Sequence, residues 1–351
     1  MQYQQTKKMY MKNIVGLVLS FIFSITVVFA QQNTVANLIA EGVKLHDRGD
    51  YSGAIEKYKQ ALKIDKNSQQ ANYELASTYY AYKKFDESLT YCNKVIAANN
   101  GYVDQAYILK GSILDESGKH TQALKTYKEG IKKYTNNSLL YYNLALTAFN
   151  LKEYKDADNA LMKGLKINPS HASSHLLLGY SMSVQGNRIK SILALGNFLM
   201  LEPTGKRAES ALALYEDELN KHVKNNDSGG VNITVPFSKK DEEFSSADLM
   251  LSLMQSSNNN ESNKGKSKYE LLAENMKSLF SMLGELKKEN KGFWWEFYVG
   301  FYNALNNAGH TETFCYYINQ AKKDNSVYTW LQDNNKKYSD FSNWYISYKR
   351  N

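Results

Sequence analysis

The feature that most constrains the fold of this chain is a sequence period of 34 residues. One series of small residues recurs with steps of 34, 35, 34 and 34. It consists of Gly42, Ala76, Gly111, Ala145 and Gly179. A second series has the same four steps and consists of Ala54, Ser88, Ala123, Ala157 and Ser191. Because small side chains let two helices approach closely, the two series predict a pair of packed helices in each of five repeating units.

The residues between and after these positions complete each unit. A third series with the same steps contains only leucine and isoleucine, at Leu62, Ile96, Ile131, Leu165 and Leu199. A turn lies between the first two series, and glycine in several of these turns favours the left-handed backbone that ends a helix. Pro169 and Pro203 are also 34 residues apart, and each closes a unit because proline cannot continue a helix interior. We therefore predict five consecutive αα-hairpins.

This pattern resembles the tetratricopeptide repeat (TPR) family over residues 35–204, most clearly in LLYYNLALTAFNLKEYKDADNALMKGLKINP at 139–169. The resemblance implies an all-α fold, a TPR αα-hairpin solenoid of five repeats. The sequence departs from the family pattern at four positions. His120 and Arg188 replace a usual aromatic residue, and Asn72 and His175 replace a usual large apolar residue.

Residues 207–223 predict a capping helix after the fifth repeat. One side of this helix is apolar at helical spacing, through Ala208, Ala211, Leu212, Tyr215 and Leu219. An end repeat needs a lid that is apolar inside and polar outside. The domains expected from these patterns are a signal peptide (1–30), the TPR solenoid with its capping helix (31–223), a low-complexity and partly mobile linker (224–267), and a smaller, aromatic-rich helical module (268–351).

The linker and the last module differ in composition. Within the linker, VNITVPF at 231–237 alternates as a short strand would, and SSADLMLSLM at 245–254 predicts a short helix. The last module opens with an apolar helical stripe from Tyr269 to Leu286, followed by the aromatic stretch FWWEFYVGFYNALNNAGHTETFCYYI at 293–318. These rings either fill the core of a small module or line a groove for a partner helix or for sugar rings.

The N-terminus predicts export. Three lysines among the first twelve residues precede the apolar run 14–29, and Val28 and Ala30 are small enough for a signal peptidase, so cleavage is expected after Ala30. The alternative is an uncleaved membrane anchor, because the run is just long enough to span a bilayer. After cleavage no membrane span is expected. The high ratio of lysine to arginine indicates an AT-rich bacterial genome, and the predicted location is the periplasm or the cell envelope.

Charge and reactive residues exclude several function classes. The net charge of +8 is spread along the chain, and only four of the basic residues are arginines. Arginine is the usual ligand of phosphates and guanine edges, so nucleic-acid binding is not expected. His171 and His175 have metal-ligand spacing without an intervening carboxylate, and Glu296 has no second carboxylate placed to work with it. No enzyme activity, cofactor or metal is expected.

Cys92 and Cys315 lie in apolar helical patterns and predict buried free thiols rather than a disulfide.

The TPR resemblance implies that the first helix of each hairpin lines a concave groove for a protein or peptide partner. The predicted groove residues are Tyr73, Ser77, Tyr80, Ile108, Ser112, Asp115, Tyr142, Leu146, Phe149 and Tyr180. None of these positions is a lysine, and Ile39 and Val43 stand where a clamp for a terminal carboxylate would begin, so such a clamp is not expected. The alternative function is glycan binding at the cell envelope, through an aromatic platform formed by Trp294, Trp295, Trp330 or Trp344.

Overall fold

The computed structural model describes residues 32–225, 231–233 and 242–350. The chain divides into two compact units, one ending at Thr147 and the other beginning at Ala148. The predicted signal segment 1–30 lies outside the described residues. The domain boundaries expected from the sequence stay predictions.

The first unit consists of helices that pack as consecutive hairpins. They are α1 (residues 32–47), α2 (Tyr51–Ile64), α3 (Gln69–Ala81), α4 (Phe85–Ala98), α5 (Val103–Glu116), α6 (His120–Lys133) and most of α7 (Ser138–Asn150). Each of α2 to α6 packs against the helix that follows or precedes it in sequence, and α3 also contacts α5 directly. The first helices of repeats two and three therefore lie side by side.

The second unit continues the hairpins and adds further helices. Its helices are α8 (Tyr154–Ile167), α9 (Ala172–Val184), α10 (Arg188–Leu201), α11 (Lys206–Asn220), α12 (Ser245–Ser256), α13 (Lys268–Leu286), α14 (Gly300–Asn307), α15 (Thr311–Ile318), α16 (Asn325–Asp333) and α17 (Asn335–Ser347). A wide π-helical turn, Trp294–Val299, leads into α14. The strands β1 (Val223–Asn225) and β2 (Val231–Ile233) pair antiparallel, with Val223 opposite Ile233.

The small-residue period is explained by the side chains that pack over each position. A Cβ atom at Gly42 would come within 2.4 Å of the Tyr58 ring, and one at Gly111 within 2.3 Å of the Tyr127 ring. In the hairpin of α3 and α4, Ala76 takes the place of the glycine. It packs with Cys92, which is smaller than the tyrosines at the aligned positions. A tyrosine at this place on the second helix therefore requires a glycine on the first.

The second small series adds hydrogen bonds where it contains serine. The Ser88 hydroxyl donates to the Ala76 carbonyl at 2.6 Å, and the Ser191 hydroxyl donates to the Gly179 carbonyl at 2.9 Å. These bonds join the two helices of one hairpin in the buried interior, where unpaired polar groups are costly.

All five inter-helix turns contain a residue with a left-handed backbone at the same repeat position. Three of these residues are Gly49, Gly118 and Gly186, and the other two are Lys83 and Lys152, with φ of 61° and 62°. A lysine in this conformation is less favourable than a glycine. The identical backbone confirms that the turn shape belongs to the repeat.

The predicted all-α fold class is confirmed: consecutive helices pack against each other in the first unit, and α9, α10 and α11 do so in the second. All five residues of the predicted capping stripe on α11 are buried. The strand predicted in VNITVPF is observed at Val231–Ile233, while its continuation through Pro236 lies outside the described residues. Both cysteines are free and buried, as predicted, and burial raises the pKa of the Cys92 thiol to about 12.

Candidate functional site

The predicted groove residues of the first unit lie on adjacent helices. Tyr73, Ser77 and Tyr80 belong to α3, Ile108, Ser112 and Asp115 belong to α5, and Tyr142 and Leu146 belong to α7. All eight side chains are half-buried, which leaves each of them partly accessible. We call the six residues of α3 and α5 the first-helix face.

The aromatic part of the first-helix face is held in place by neighbouring side chains. The Tyr73 ring stacks on the Tyr102 ring with a centroid distance of 5.3 Å. The Lys83 ammonium lies 5.5 Å from the centroid of the Tyr80 ring and 2.6 Å from a Glu116 carboxylate oxygen. Burial is the main cause that raises the pKa of both tyrosine hydroxyls, so these groups remain neutral donors at physiological pH.

The polar part of the face already has partners within the chain. The Ser112 hydroxyl donates to the Ile108 carbonyl at 3.0 Å and lies 3.2 Å from the Tyr127 hydroxyl. An Asp115 carboxylate oxygen lies 2.8 Å from Nδ1 of His120. His120 therefore has a defined role at a position where the family usually has an aromatic residue. The sequence pattern missed Lys83, because it lies in a turn and reaches the face only through its long side chain.

A carboxylate with a shifted pKa lies beside this face. Glu74 on α3 is half-buried, and its pKa is raised by burial and, second, by the negative charge of Asp47. Glu116 and Asp115 add two more carboxylates at the end of α5. Lys83 pairs with Glu116 and His120 contacts Asp115, whereas Glu74 forms no salt bridge among the described residues and disfavours an acidic ligand at this place.

The second unit contains the remaining two predicted groove residues. Phe149 is half-buried and meets Tyr154 edge to face, with a centroid distance of 5.5 Å. Tyr180 is half-buried on α9.

Each of the four tryptophans packs against another ring of the second unit. Trp295 is buried, stacks on Phe244 at 4.4 Å and donates its indole N–H to Glu243. The other three are half-buried: Trp294 stacks on Tyr298, Trp330 lies parallel to Tyr316 at a centroid distance of 3.9 Å, and Trp344 contacts Phe301, His310 and Tyr348.

The aromatic stretch makes buried hydrogen bonds with the fifth hairpin. Nε2 of His175 lies 2.9 Å from the Pro169 carbonyl oxygen, and Nδ1 lies 2.7 Å from the Tyr298 hydroxyl. Since a carbonyl only accepts, Nε2 carries the proton and Nδ1 accepts from Tyr298. Full burial lowers the pKa of His175 to about 3. Both ring nitrogens are therefore occupied, and no cluster of metal-ligating residues occurs among the residues that the structure describes.

Arg188 forms a second buried polar junction that the sequence pattern did not predict. Its guanidinium donates to the carbonyl oxygens of Glu218 and Leu219. It also donates to a carboxylate oxygen of Asp248 at 2.6 Å and to the Ser252 hydroxyl at 2.7 Å. Arg188 thus joins α10 to α11 and α12. The only signal in the sequence was an arginine at a position usually occupied by an aromatic residue.

Within the described ranges, no helix is both long enough and apolar enough to cross a membrane. This finding does not extend to the apolar run 14–29.

Comparisons with known proteins agree with the observed hairpins. The family profile described as TPR repeat matches residues 42–82, and the profile described as tetratricopeptide repeat matches residues 104–132 and 139–171. A TPR repeat-containing protein of Methanocaldococcus jannaschii is 28% identical over 142 residues, which cover 38% of this chain and 25% of that protein. The BBSome complex member BBS4 of Bos taurus is 26% identical over 139 residues, which cover 40% of this chain and 26% of that protein.

This chain therefore spans about a quarter of the length of these two curated relatives. Among solved structures, that of pilF from Pseudomonas aeruginosa is 18% identical with a TM-score of 0.47, and the match covers 54% of this chain and 87% of that chain.

Proposed function

Because this chain belongs to the tetratricopeptide repeat family, we propose that it is a non-catalytic scaffold that binds a protein or peptide partner on its first-helix face. The observation that carries the proposal is the row of half-buried side chains on α3 and α5, two first helices that contact each other directly. Partly accessible tyrosine and isoleucine side chains offer apolar area that a partner can cover. Each square ångström covered contributes about 25 cal/mol.

The rigidity of the hairpins supports binding of an extended or helical segment. The tyrosine rings are fixed by stacking and by the Lys83 ammonium, so little side-chain freedom is lost when a ligand binds. The carboxylates around the rings favour a partner segment that is apolar and neutral or basic. A partner that presents a terminal carboxylate fits this face poorly.

We further propose that the protein is exported and acts in the periplasm or at the cell envelope. The support for this step is the N-terminal sequence, with its basic start, apolar run and small residues before Gln31. N-terminal sequencing of the protein isolated from its host is the test. A mature chain that begins at Gln31 supports export with cleavage, and a chain that retains the apolar run contradicts cleavage.

No observation within the described residues favours the alternative of glycan binding. Trp295 is buried, and each tryptophan packs against a different ring of its own chain, so the four do not all present a free face.

The scaffold proposal is tested by capture of partners on the immobilised full-length chain from an envelope extract of its host. The double variant Tyr80→Asp, Ile108→Asp places two charges on the first-helix face. The matched control, Thr121→Asp with Gln122→Asp, adds the same charge at exposed positions of α6. Circular dichroism checks that both variants keep their helix content.

We expect the wild type and the control to capture the same proteins, and the face variant to lose them. Equal capture by all three proteins would show that the first-helix face does not bind the partner.

A further inference from the structure

The second helices of the first unit form a groove that is lined by lysines. The groove has a volume of about 740 Å³ and lies between the end of α2, the beginning of α3 and the end of α4. Lys59, Lys63 and Lys66 lie along one side, and Lys94 belongs to α4 on the other. We call this site the lysine groove. Lys94 lies 28 residues after Lys66, so the sequence alone did not show that the four lysines share one groove.

The residues that line the lysine groove carry positive charge and no negative charge. All four lysines are exposed, and none of the residues that line the groove is acidic. Across the part of the chain that the structure describes, none of the four forms a salt bridge. The nearby Asp65 carboxylate accepts the backbone N–H of Asn67 at 2.9 Å and is not among the residues that line the groove. Four ammonium groups around one concave site attract an anion and repel a cation.

The floor of the lysine groove is apolar. Leu62, Tyr91, Ala97 and Ala98 line it together with the lysines. The Tyr91 ring is fixed between the Tyr79 ring, with a centroid distance of 5.7 Å, and the Lys94 ammonium, 4.4 Å from its centroid. The side chains of Asn67 and Gln69 also line the groove and add amide groups. A ligand that only carried charge would leave this apolar floor unused.

We propose that the lysine groove binds an acidic, partly apolar peptide segment of a partner protein. Carboxylates of the segment pair with the lysines, and its leucine-like side chains cover Leu62 and Tyr91. The volume lies in the range of ordinary ligand sites, at about 300–1,000 Å³. A nucleic acid fits less well, because phosphate recognition favours the planar fork of arginine and no arginine lines the groove. This site is separate from the first-helix face and prefers the opposite charge in its ligand.

The test measures binding of a fluorescein-labelled peptide to the full-length chain by fluorescence anisotropy. The peptide alternates pairs of glutamate with pairs of leucine. A twin peptide has glutamine in place of glutamate, and a labelled single strand of oligo-dT represents a phosphate polymer. The groove variant is Lys63→Gln, Lys66→Gln, Lys94→Gln. The matched control is Lys155→Gln, Lys163→Gln, Lys166→Gln, which removes three exposed lysines from α8 and changes the net charge equally.

We expect the glutamate peptide to bind, the glutamine twin to bind more weakly, and the groove variant to bind the glutamate peptide about tenfold more weakly. The control variant should keep the wild-type affinity, and added salt should weaken binding. The proposal is overturned if the glutamate peptide does not bind, if the glutamine twin binds equally well, or if both variants lose affinity equally. Tighter binding of oligo-dT than of the peptide would also overturn it.

Discussion

The second helices of repeats three and five occupy the same place in their hairpins but have different surroundings. In α6 only four of fourteen residues are buried, and four lysines lie on its outer side. In α10 twelve of fourteen residues are buried, and its only charged residues, Arg188 and Lys190, lie in the first turn. Helix α10 contacts α9, α11, α12, α15 and the turn Trp294–Val299, so it is covered on almost every side.

One repeat position shows why the two helices differ. In each of the first four repeats, a lysine follows the small residue of the second series by five or six residues, at Lys59, Lys94, Lys128 and Lys163. In the fifth repeat the same place holds Gly196 and Asn197. A Cβ atom at Gly196 would come within 2.5 Å of the Tyr302 hydroxyl, and Asn197 donates to that hydroxyl at 3.0 Å. The repeat period thus predicts the inner side of each hairpin, whereas its outer side depends on helices that come later in the chain.

The largest effect is expected for Arg188→Met in α10. This change leaves Asp248 without its arginine and two carbonyl oxygens without their donor, and it should lower the free energy of unfolding by about 4 kcal/mol. The aligned change in repeat three, His120→Met, affects a partly exposed side chain and should cost about 0.5 kcal/mol. Urea unfolding followed by far-ultraviolet circular dichroism measures both. Similar losses for the two variants would contradict the contrast between α10 and α6.

A smaller loss is expected for Gly196→Val. The new side chain displaces the buried Tyr302 ring and its hydrogen bonds to Asn197 and the Leu193 carbonyl, which should cost about 3 kcal/mol. Lys128→Val is the matched change on the exposed side of α6 and should alter stability by about 0.5 kcal/mol or less. All four tryptophans lie between Trp294 and Trp344, so tryptophan fluorescence during urea unfolding reports on the affected helices. A fully stable Gly196→Val variant would mean that α14 does not pack here.

Within one pH unit of neutrality, the smallest effect is a dependence of the second unit's stability on pH. His175 has a pKa of about 3 in the folded chain because of burial, against about 6.5 when it is unfolded. Between these values the unfolded state binds more protons, so stability falls as the pH is lowered from about 6.5 towards 3, by up to about 1.4 kcal/mol per pH unit. The aligned residue in repeat two, Asn72, does not titrate.

The variant His175→Asn should therefore flatten the pH dependence of tryptophan-detected unfolding, while lowering the stability at neutral pH. A slope that stays unchanged in this variant would show that His175 is not the titrating group.

The sequence was sufficient to predict the hairpins because their determinants recur at a fixed interval. Gly111 and Tyr127 illustrate this, since glycine on the first helix is required by the ring on the second. The left-handed turn was also predictable, although Lys83 and Lys152 replace the glycine in two repeats. Local chemistry alone determines these features.

The contacts of the fifth hairpin, α9 and α10, were not predicted, because they join residues far apart in sequence. The pairs His175 and Tyr298, and Asn197 and Tyr302, are separated by 123 and 105 residues. The sequence offered two signals of these contacts. Helix α10 has almost no charged residues, and the fifth repeat has polar residues at positions that are usually apolar. The lysine groove was missed for a related reason, since Lys94 meets the lysines of α2 only through the packing of the hairpins.

The most direct test of the proposed function is photo-crosslinking in the native host, with a benzophenone amino acid placed in the full-length chain at position 80, at position 108 or at position 122. The first two positions lie on the first-helix face, and the third is exposed on α6. We expect discrete adducts of a partner protein from positions 80 and 108 and none from position 122. Adducts from position 122 alone, or no adduct from either position of the face, would contradict the role of the first-helix face as the partner-binding surface.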